Sequence, residues 1–205
     1  MARGKLSHHA ERHDLHYRRA KREHYGSRAV YKLEELDRTF RLIKSGMRVL
    51  DLGCWPGSWL QYLAERVGDS GRVVGVDLRP VEIALPQWVT TIVGDAESMQ
   101  PDELDGPYDV VLSDMAPHTS GDKHTDQWRS EELFLRALQL ANQLLRPGGH
   151  FAGKVFQGGR FPHLIAATRQ RFQEVKPFHT KATRIQSREQ YLVGRGMKQS
   201  PKTMP

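Results

Sequence analysis

The chain of 205 residues contains one cysteine, Cys54. An intramolecular disulfide is therefore excluded, and so is a zinc site built from several thiolates. No apolar run approaches transmembrane length, and the N-terminal stretch MARGKLSHHAERHDLHYRRAKREHYGSRAV lacks the hydrophobic segment of a signal peptide. A reducing cytoplasm is the expected address. There is no internal repeat and no low-complexity linker, so the expectation is one domain with short extensions. Neither an HExxH pattern nor carboxylates at matching spacing accompany His8, His9, His13, His16 and His24. No metal site is expected, and the histidines read as part of a solvated arm. Hydrophobic residues make up 38% of the chain and charged ones 27%. That is polar for a globular protein, but it leaves enough apolar residues for a core.

What is present is unevenly spread. Residues 1–32 hold nine Lys/Arg against three Asp/Glu, and residues 176–205 hold seven against one. The remainder holds fifteen against twenty, so an acidic body carries basic ends. Basic ends attract phosphate backbones through steering and counterion release. The expected organisation is a basic, flexible RNA-binding arm over 1–26, a domain over 27–195 and a disordered tail over 196–205.

Strand and helix signals alternate along the body. Ser27 reads as a helix N-cap before Ala29, Val30, Leu33, Leu36 and Phe40, and Lys44-Ser45-Gly46 reads as that helix's stop. MRVLDLG (47–53), RVVGVDL (72–78), WVTTIVGD (88–95), PYDVVLSDMAP (107–117) and HFAGKVF (150–156) read as buried strands. Leu60, Leu63, Ala64 and Val67 mark one intervening helix face. A polar loop, HTSGDKHTDQ, leads to a helical pattern from Leu133 to Leu145 that Arg146-Pro147-Gly148-Gly149 closes. A further helix is expected over Phe161–Phe172, and short strands near 173–179 and 190–194. This alternation predicts an α/β architecture around a mostly parallel sheet. Ligands of such sheets bind at the carboxyl ends of the strands, where the strand order reverses.

Four of those ends carry aspartates: Asp51, Asp77, Asp95 and Asp114. The first strand runs into DLGCWPGSW, where Gly53 and Gly57 allow a tight turn beside a ligand. This is not the dinucleotide fingerprint GxGxxG, so a pyrophosphate cradle and a nicotinamide cofactor are disfavoured. A carboxylate at Asp77 suits paired ribose hydroxyls, and Asp95 suits an adenine amino group. One strand-end aspartate is as readily a helix cap. Three on successive strands, with the glycine turn on the first, point to S-adenosylmethionine. Trp59 alone reads as core, with a cofactor contact as the alternative.

Five ordered segments carry a resemblance: SRAVYKL from Ser27, DLGCWPGSW from Asp51, SDMAP from Ser113, GKVFQ from Gly153 and SREQY from Ser187. Together, from about Ser27 to Val193, they resemble the FtsJ/RlmE-type ribose 2′-O-methyltransferases. The resemblance implies a Rossmann-like, S-adenosylmethionine-dependent methyltransferase fold, with a central, mostly parallel seven-stranded sheet and helices on both faces. It implies a catalytic Lys-Asp-Lys-Glu tetrad at Lys32, Asp114, Lys154 and Glu189. It also implies cofactor contacts at Gly57, Trp59, Asp77, Asp95 and Asp114. In one place the chain departs from the family, whose turn commonly reads AAPGGW where this one reads CWPGSW. Ser58 replaces a glycine, and it would be strained if that position required positive φ.

The chemistry explains the residue types. Methyl transfer to a hydroxyl needs the nucleophile aligned and its proton accepted. A lysine accepts a proton only when neutral, and both burial and a nearby ammonium favour that form. Lys32 and Glu189 alone would be surface charges, and Asp114 alone could cap a turn. Lys154 lies inside the apolar run FAGKVF, where a buried charge needs a reason. The resemblance makes Lys154 the general base and large-subunit ribosomal RNA, or the 50S particle, the partner, with a uridine of the A-loop as target. A monomer is expected. The rivals are tRNA or mRNA-cap 2′-O-methylation and a non-catalytic ribosome-assembly factor. A strand lysine argues against the second.

Overall fold

Short β-branched runs separated by helical segments must return in the same direction, which builds a parallel sheet. The computed structural model describes residues 25–118, 120–182 and 188–199. Its elements are α1 (Val30–Phe40), β1 (Arg48–Leu52), α2 (Ser58–Val67), β2 (Arg72–Asp77), β3 (Val89–Val93), a 3-10 turn (Pro101–Leu104), β4 (Tyr108–Ser113), α3 (Lys123–Leu144), β5 (Leu145–Phe156), α4 (Phe161–Arg171), β6 (Phe172–Phe178) and β7 (Glu189–Met197). They form one seven-stranded sheet of order β3-β2-β1-β4-β5-β7-β6. Strands β1 to β5 pair in parallel, while β7 lies antiparallel between β5 and β6. The order reverses between β1 and β4, so a crevice opens at their carboxyl ends.

Side-chain alternation divides the core in two. Leu50, Leu52, Val74, Val76, Val111, Phe151 and Val155 pack with Phe134 and Leu138 of α3 and Leu164 of α4. Val49, Val73, Val110, Leu112, Ala152, Tyr191 and Val193 pack with Leu33 and Leu36 of α1 and Leu60 and Leu63 of α2. A period of two then assigns Asp51, two after Val49, and Lys154, two after Ala152, to the α1/α2 face. Tyr191 belongs to the same face, so the sheet itself gathers three polar groups under one pair of helices.

Several boundaries differ from the sequence expectation. Helix α1 stops at Phe40, before Lys44-Ser45-Gly46, because Arg41 turns left-handed (φ 53) and Asp37 accepts a hydrogen bond from Ile43 N at 2.9 Å. Ser27 is not the N-cap of α1, a place taken by Ala29. Its Oγ accepts from Ala29 N at 3.1 Å and meets Ser58 Oγ at 2.9 Å. Helix α3 begins at Lys123, within the expected polar loop, where the Asp122 carboxylate accepts from His124 N and Thr125 N. Its early inward residues are Asp126, Ser130 and Glu131, so no apolar period marks those turns. Arg146-Pro147-Gly148-Gly149 lies inside β5, and a register shift between Tyr108 and Val110 absorbs the extra residues. Strand β7 continues to Met197, past the expected domain end at 195. The expected arm (except 25–26) and the tail from 200 lie outside the described residues. Among the described residues, no helix is long and apolar enough to cross a membrane.

Candidate active site

A cavity of about 570 Å³ lies at the carboxyl ends of β1, β2, β3 and β4. Gly53, Asp77, Asp95 and Asp114 all line it. Gly53 has φ 83, and a Cβ there would meet Met115 N at 2.7 Å, so the β1 turn closes directly on the chain leaving β4. Each Asp77 oxygen accepts one backbone N–H, from Trp55 at 2.9 Å and from Arg79 at 3.0 Å. This fixes the carboxylate and leaves each oxygen a lone pair for a ribose hydroxyl. Asp95 Oδ1 accepts from Glu97 N at 2.9 Å, which orients it at the same rim.

Gly57 and Trp59 do not line this cavity. Gly57 has φ 105, and a Cβ there would run into Ile83 and Val81. The Trp59 ring is 3% exposed, donates from Nε1 to Ala29 O at 2.9 Å and lies 6.1 Å from the Tyr191 ring. Its indole is core, as a lone helical tryptophan predicts. What it can offer a ligand is its backbone N–H in the first turn of α2. Among the described residues, positive φ outside glycine occurs at Arg41 and Asp105, so Ser58 is unstrained as the first residue of α2.

At one edge of the cavity the tetrad residues meet as two ion pairs. Lys154 Nζ lies 3.0 Å from Asp114 Oδ1 and donates to Asp114 O at 2.5 Å. Lys32 Nζ lies 2.5 Å from Glu189 Oε1. The Lys154 side chain is 6% exposed and that of Asp114 18%. The sheet explains the meeting: Lys154 of β5 stands opposite Tyr191 of β7, and the Tyr191 hydroxyl donates to Asp114 Oδ1 at 2.6 Å. Lys32 comes from α1, which packs over this face.

The electrostatics follow from these contacts. Burial pushes the Asp114 carboxyl up, but the ammonium groups of Lys154 and Lys32 and the Tyr191 hydrogen bond outweigh it, holding the carboxyl below its usual range. Burial, then the Asp114 and Glu189 charges, holds the Tyr191 hydroxyl well above its ordinary value, so it remains a donor. Asp51 differs: it is fully buried, and neither oxygen has a hydrogen-bond partner among the described residues. Burial, then the charges of Asp114 and Asp77, pushes it well above the usual carboxylate range. Sequence reasoning did not find the Tyr191 contact. The signal was present in SREQY, where Tyr191 shares the inward face of β7 with Val193.

Residues 25–197 match the family model described as FtsJ-like methyltransferase. The chain belongs to that family. It is 48% identical to "Ribosomal RNA large subunit methyltransferase E" of Syntrophobacter fumaroxidans, over 91% of this chain and 97% of the relative. The protein of the same name from Sorangium cellulosum is 47% identical, over 94% and 92%. Among solved structures, a Plasmodium falciparum protein described as a ribosomal RNA methyltransferase aligns with TM-score 0.74 and 30% identity, covering 84% of this chain and 98% of that one. Aeropyrum pernix fibrillarin, solved with S-adenosylmethionine bound, shares the fold at TM-score 0.55 and 18% identity, over 75% and 68%. As a member of this methyltransferase family the chain uses S-adenosylmethionine. The residues present fit that cofactor: a glycine turn with no room for a side chain, a fixed carboxylate at Asp77, and a second at Asp95.

Proposed function

We propose that this chain methylates the 2′-hydroxyl of a ribose in large-subunit ribosomal RNA, with a uridine of the A-loop as the target and Lys154 as general base. One observation carries the reading: a lysine buried in an apolar strand meets an aspartate at the edge of the cofactor cavity. The names of the relatives above support the RNA class.

When bound, S-adenosylmethionine supplies a methyl group on positively charged sulfur, already activated for displacement. The protein must then place an RNA hydroxyl in line and remove its proton. Lys154 Nζ, in its neutral amine form, accepts that proton and becomes the ammonium that pairs with Asp114. Asp114 holds Lys154 through both its side chain and its carbonyl, and Tyr191 holds Asp114 in turn. The Lys32–Glu189 pair supplies a second ammonium that faces the same carboxylate and orients the ribose oxygen. Asp77 and Asp95 hold the nucleoside of the cofactor, and Gly57 and Trp59 contribute through backbone at the start of α2. The basic residues of 1–24 bind RNA phosphates. Deleting them weakens RNA binding and flattens its salt dependence in a titration over ionic strength.

The deciding experiment incubates the protein with labelled S-adenosylmethionine and either total RNA or purified 50S particles, then maps the modified nucleotide. Label on one large-subunit ribose 2′-oxygen is expected. Label confined to tRNA or to capped mRNA overturns the substrate, and RNA binding with no label at all overturns the enzyme in favour of an assembly factor.

A further inference from the structure

The Asp77 subsite has a feature that the family pattern does not supply. The two backbone N–H groups that fix Asp77 belong to Trp55 and Arg79, and the side chains of these residues meet: the Arg79 guanidinium lies over the Trp55 ring, 4.8 Å from its centroid. Both residues line the cavity, and Trp55 is 48% exposed. The half-exposed ring thus presents an aromatic face at the mouth of the cavity, beside the carboxylate of Asp77. Here it replaces the second alanine of the family's AAPGGW turn. A cation held over an aromatic face is a favourable pair that also restrains the ring.

We propose that the Trp55–Arg79 stack is a retaining rim for the adenosine end of the cofactor, positioned by the same hydrogen bonds that position Asp77. The ring shields the carboxylate–ribose hydrogen bonds from water, which strengthens them and slows their exchange. Arg79 holds the ring in place and needs no contact with the ligand itself. The rim acts equally on S-adenosylmethionine and on the demethylated product, since both present the same adenosine. It therefore sets the residence time of both. The inference rests on the cofactor seat and is independent of which RNA is methylated.

The test measures S-adenosylhomocysteine binding by calorimetry and its dissociation by stopped-flow fluorescence, without RNA. Trp55→Ala raises Kd about three- to tenfold, mainly through faster dissociation. Trp55→Phe keeps an aromatic face and stays close to wild type. Arg79→Ala raises Kd about two- to threefold, and in the Trp55→Ala background it adds nothing, because the ring it restrains is gone. A thermal melt of each apo variant separates loss of the rim from loss of the fold. Arg79→Ala probes the rim without altering the β1 turn. A Kd within twofold of wild type for a folded Trp55→Ala overturns the proposal. So do fully additive effects of the two substitutions. In a separate RNA-binding titration of the same variants, a loss of RNA affinity with cofactor affinity unchanged also overturns it, and assigns Trp55 to the RNA instead.

Discussion

The ends of β1 and β4 lie side by side, and each delivers an aspartate to the same region, yet the two carboxyl pKa values are displaced in opposite directions. Asp114, just past β4, has Lys154 at 3.0 Å, a hydroxyl donor in Tyr191 and the Lys32 charge nearby. Asp51, within β1, is flanked in the sheet by Gly75 and Leu112 and has no partner for either oxygen among the described residues. Burial penalises both charges. What separates them is supply: β5 and β7 bring a lysine and a tyrosine to β4, whereas β2 brings a glycine to β1. Neighbouring strand ends of one sheet thus yield a carboxylate held in its charged form beside a lysine and a carboxyl pushed toward its neutral form.

The largest expected effect comes from removing the cation that separates the two ends. Lys154→Ala abolishes methyl transfer, lowering single-turnover rate by at least about 100-fold, while S-adenosylmethionine binding by calorimetry persists. Lys154→Arg keeps the charge beside Asp114 but cannot accept a proton, so it restores ion pairing without restoring turnover. Near-wild-type turnover of Lys154→Arg would falsify the general-base role and leave Lys154 as a fixed charge. Asp114→Asn is the next test. It leaves the Lys154 ammonium without its counter-charge and costs about 3–5 kcal/mol of folding stability in a denaturant titration.

Asp51→Asn sharpens the comparison through pH. The folded-state pKa of Asp51 is raised, so folding takes up a proton and its contribution is full below about 3.9, the unfolded carboxyl value. That contribution falls away as pH rises toward the folded pKa. Asp114 runs the other way: its pKa is lowered, so its contribution is present above about 3.9 and is lost as pH falls through the folded value. Melting temperatures of Asp51→Asn should therefore decline less than those of wild type as pH rises from 4 toward neutrality. An identical pH profile would show that Asp51 is ionised and satisfied in the native protein. The smallest effect belongs to Tyr191→Phe, which deletes one hydrogen bond to a charged acceptor. It weakens the hold on Asp114 by about 1.5–3 kcal/mol, read as a lowered rate with unchanged cofactor affinity.

Much of this geometry was legible in the sequence. Strand-end aspartates stand out because a carboxylate after an apolar run is unusual, and Asp77, Asp95 and Asp114 do line one cavity. Lys154 stood out for the same reason. The alternation of β1 and β5 puts Asp51 and Lys154 on one face, but it cannot say that one finds a counter-charge and the other does not. That depends on pairing between β5 and β7, which are far apart in the chain and antiparallel in an otherwise parallel run. The early turns of α3 escaped notice because Asp126, Ser130 and Glu131 take the inward positions that periodicity expects to be apolar. The end of α1 escaped because a side-chain bond from Asp37, rather than a glycine, turns the chain.

The tetrad also has a consequence for the order in which a newly made chain becomes competent. The cofactor cavity draws its strand-end residues from the first two-thirds of the chain, up to α3. Lys32 comes from the first described helix, whereas its partner Glu189 opens the last strand. A second link repeats the pattern, with Lys181 N donating to the Glu35 carboxylate at 2.8 Å. In a chain made from its N-terminus, the strand ends that line the cavity are therefore synthesised before the strand that carries Glu189. The Lys32–Glu189 pair forms only after β7 has been made and inserted beside β5, whereas Lys154 and Asp114 already stand on β5 and just past β4. Completion of the tetrad is thereby tied to the making of β7, the last described element.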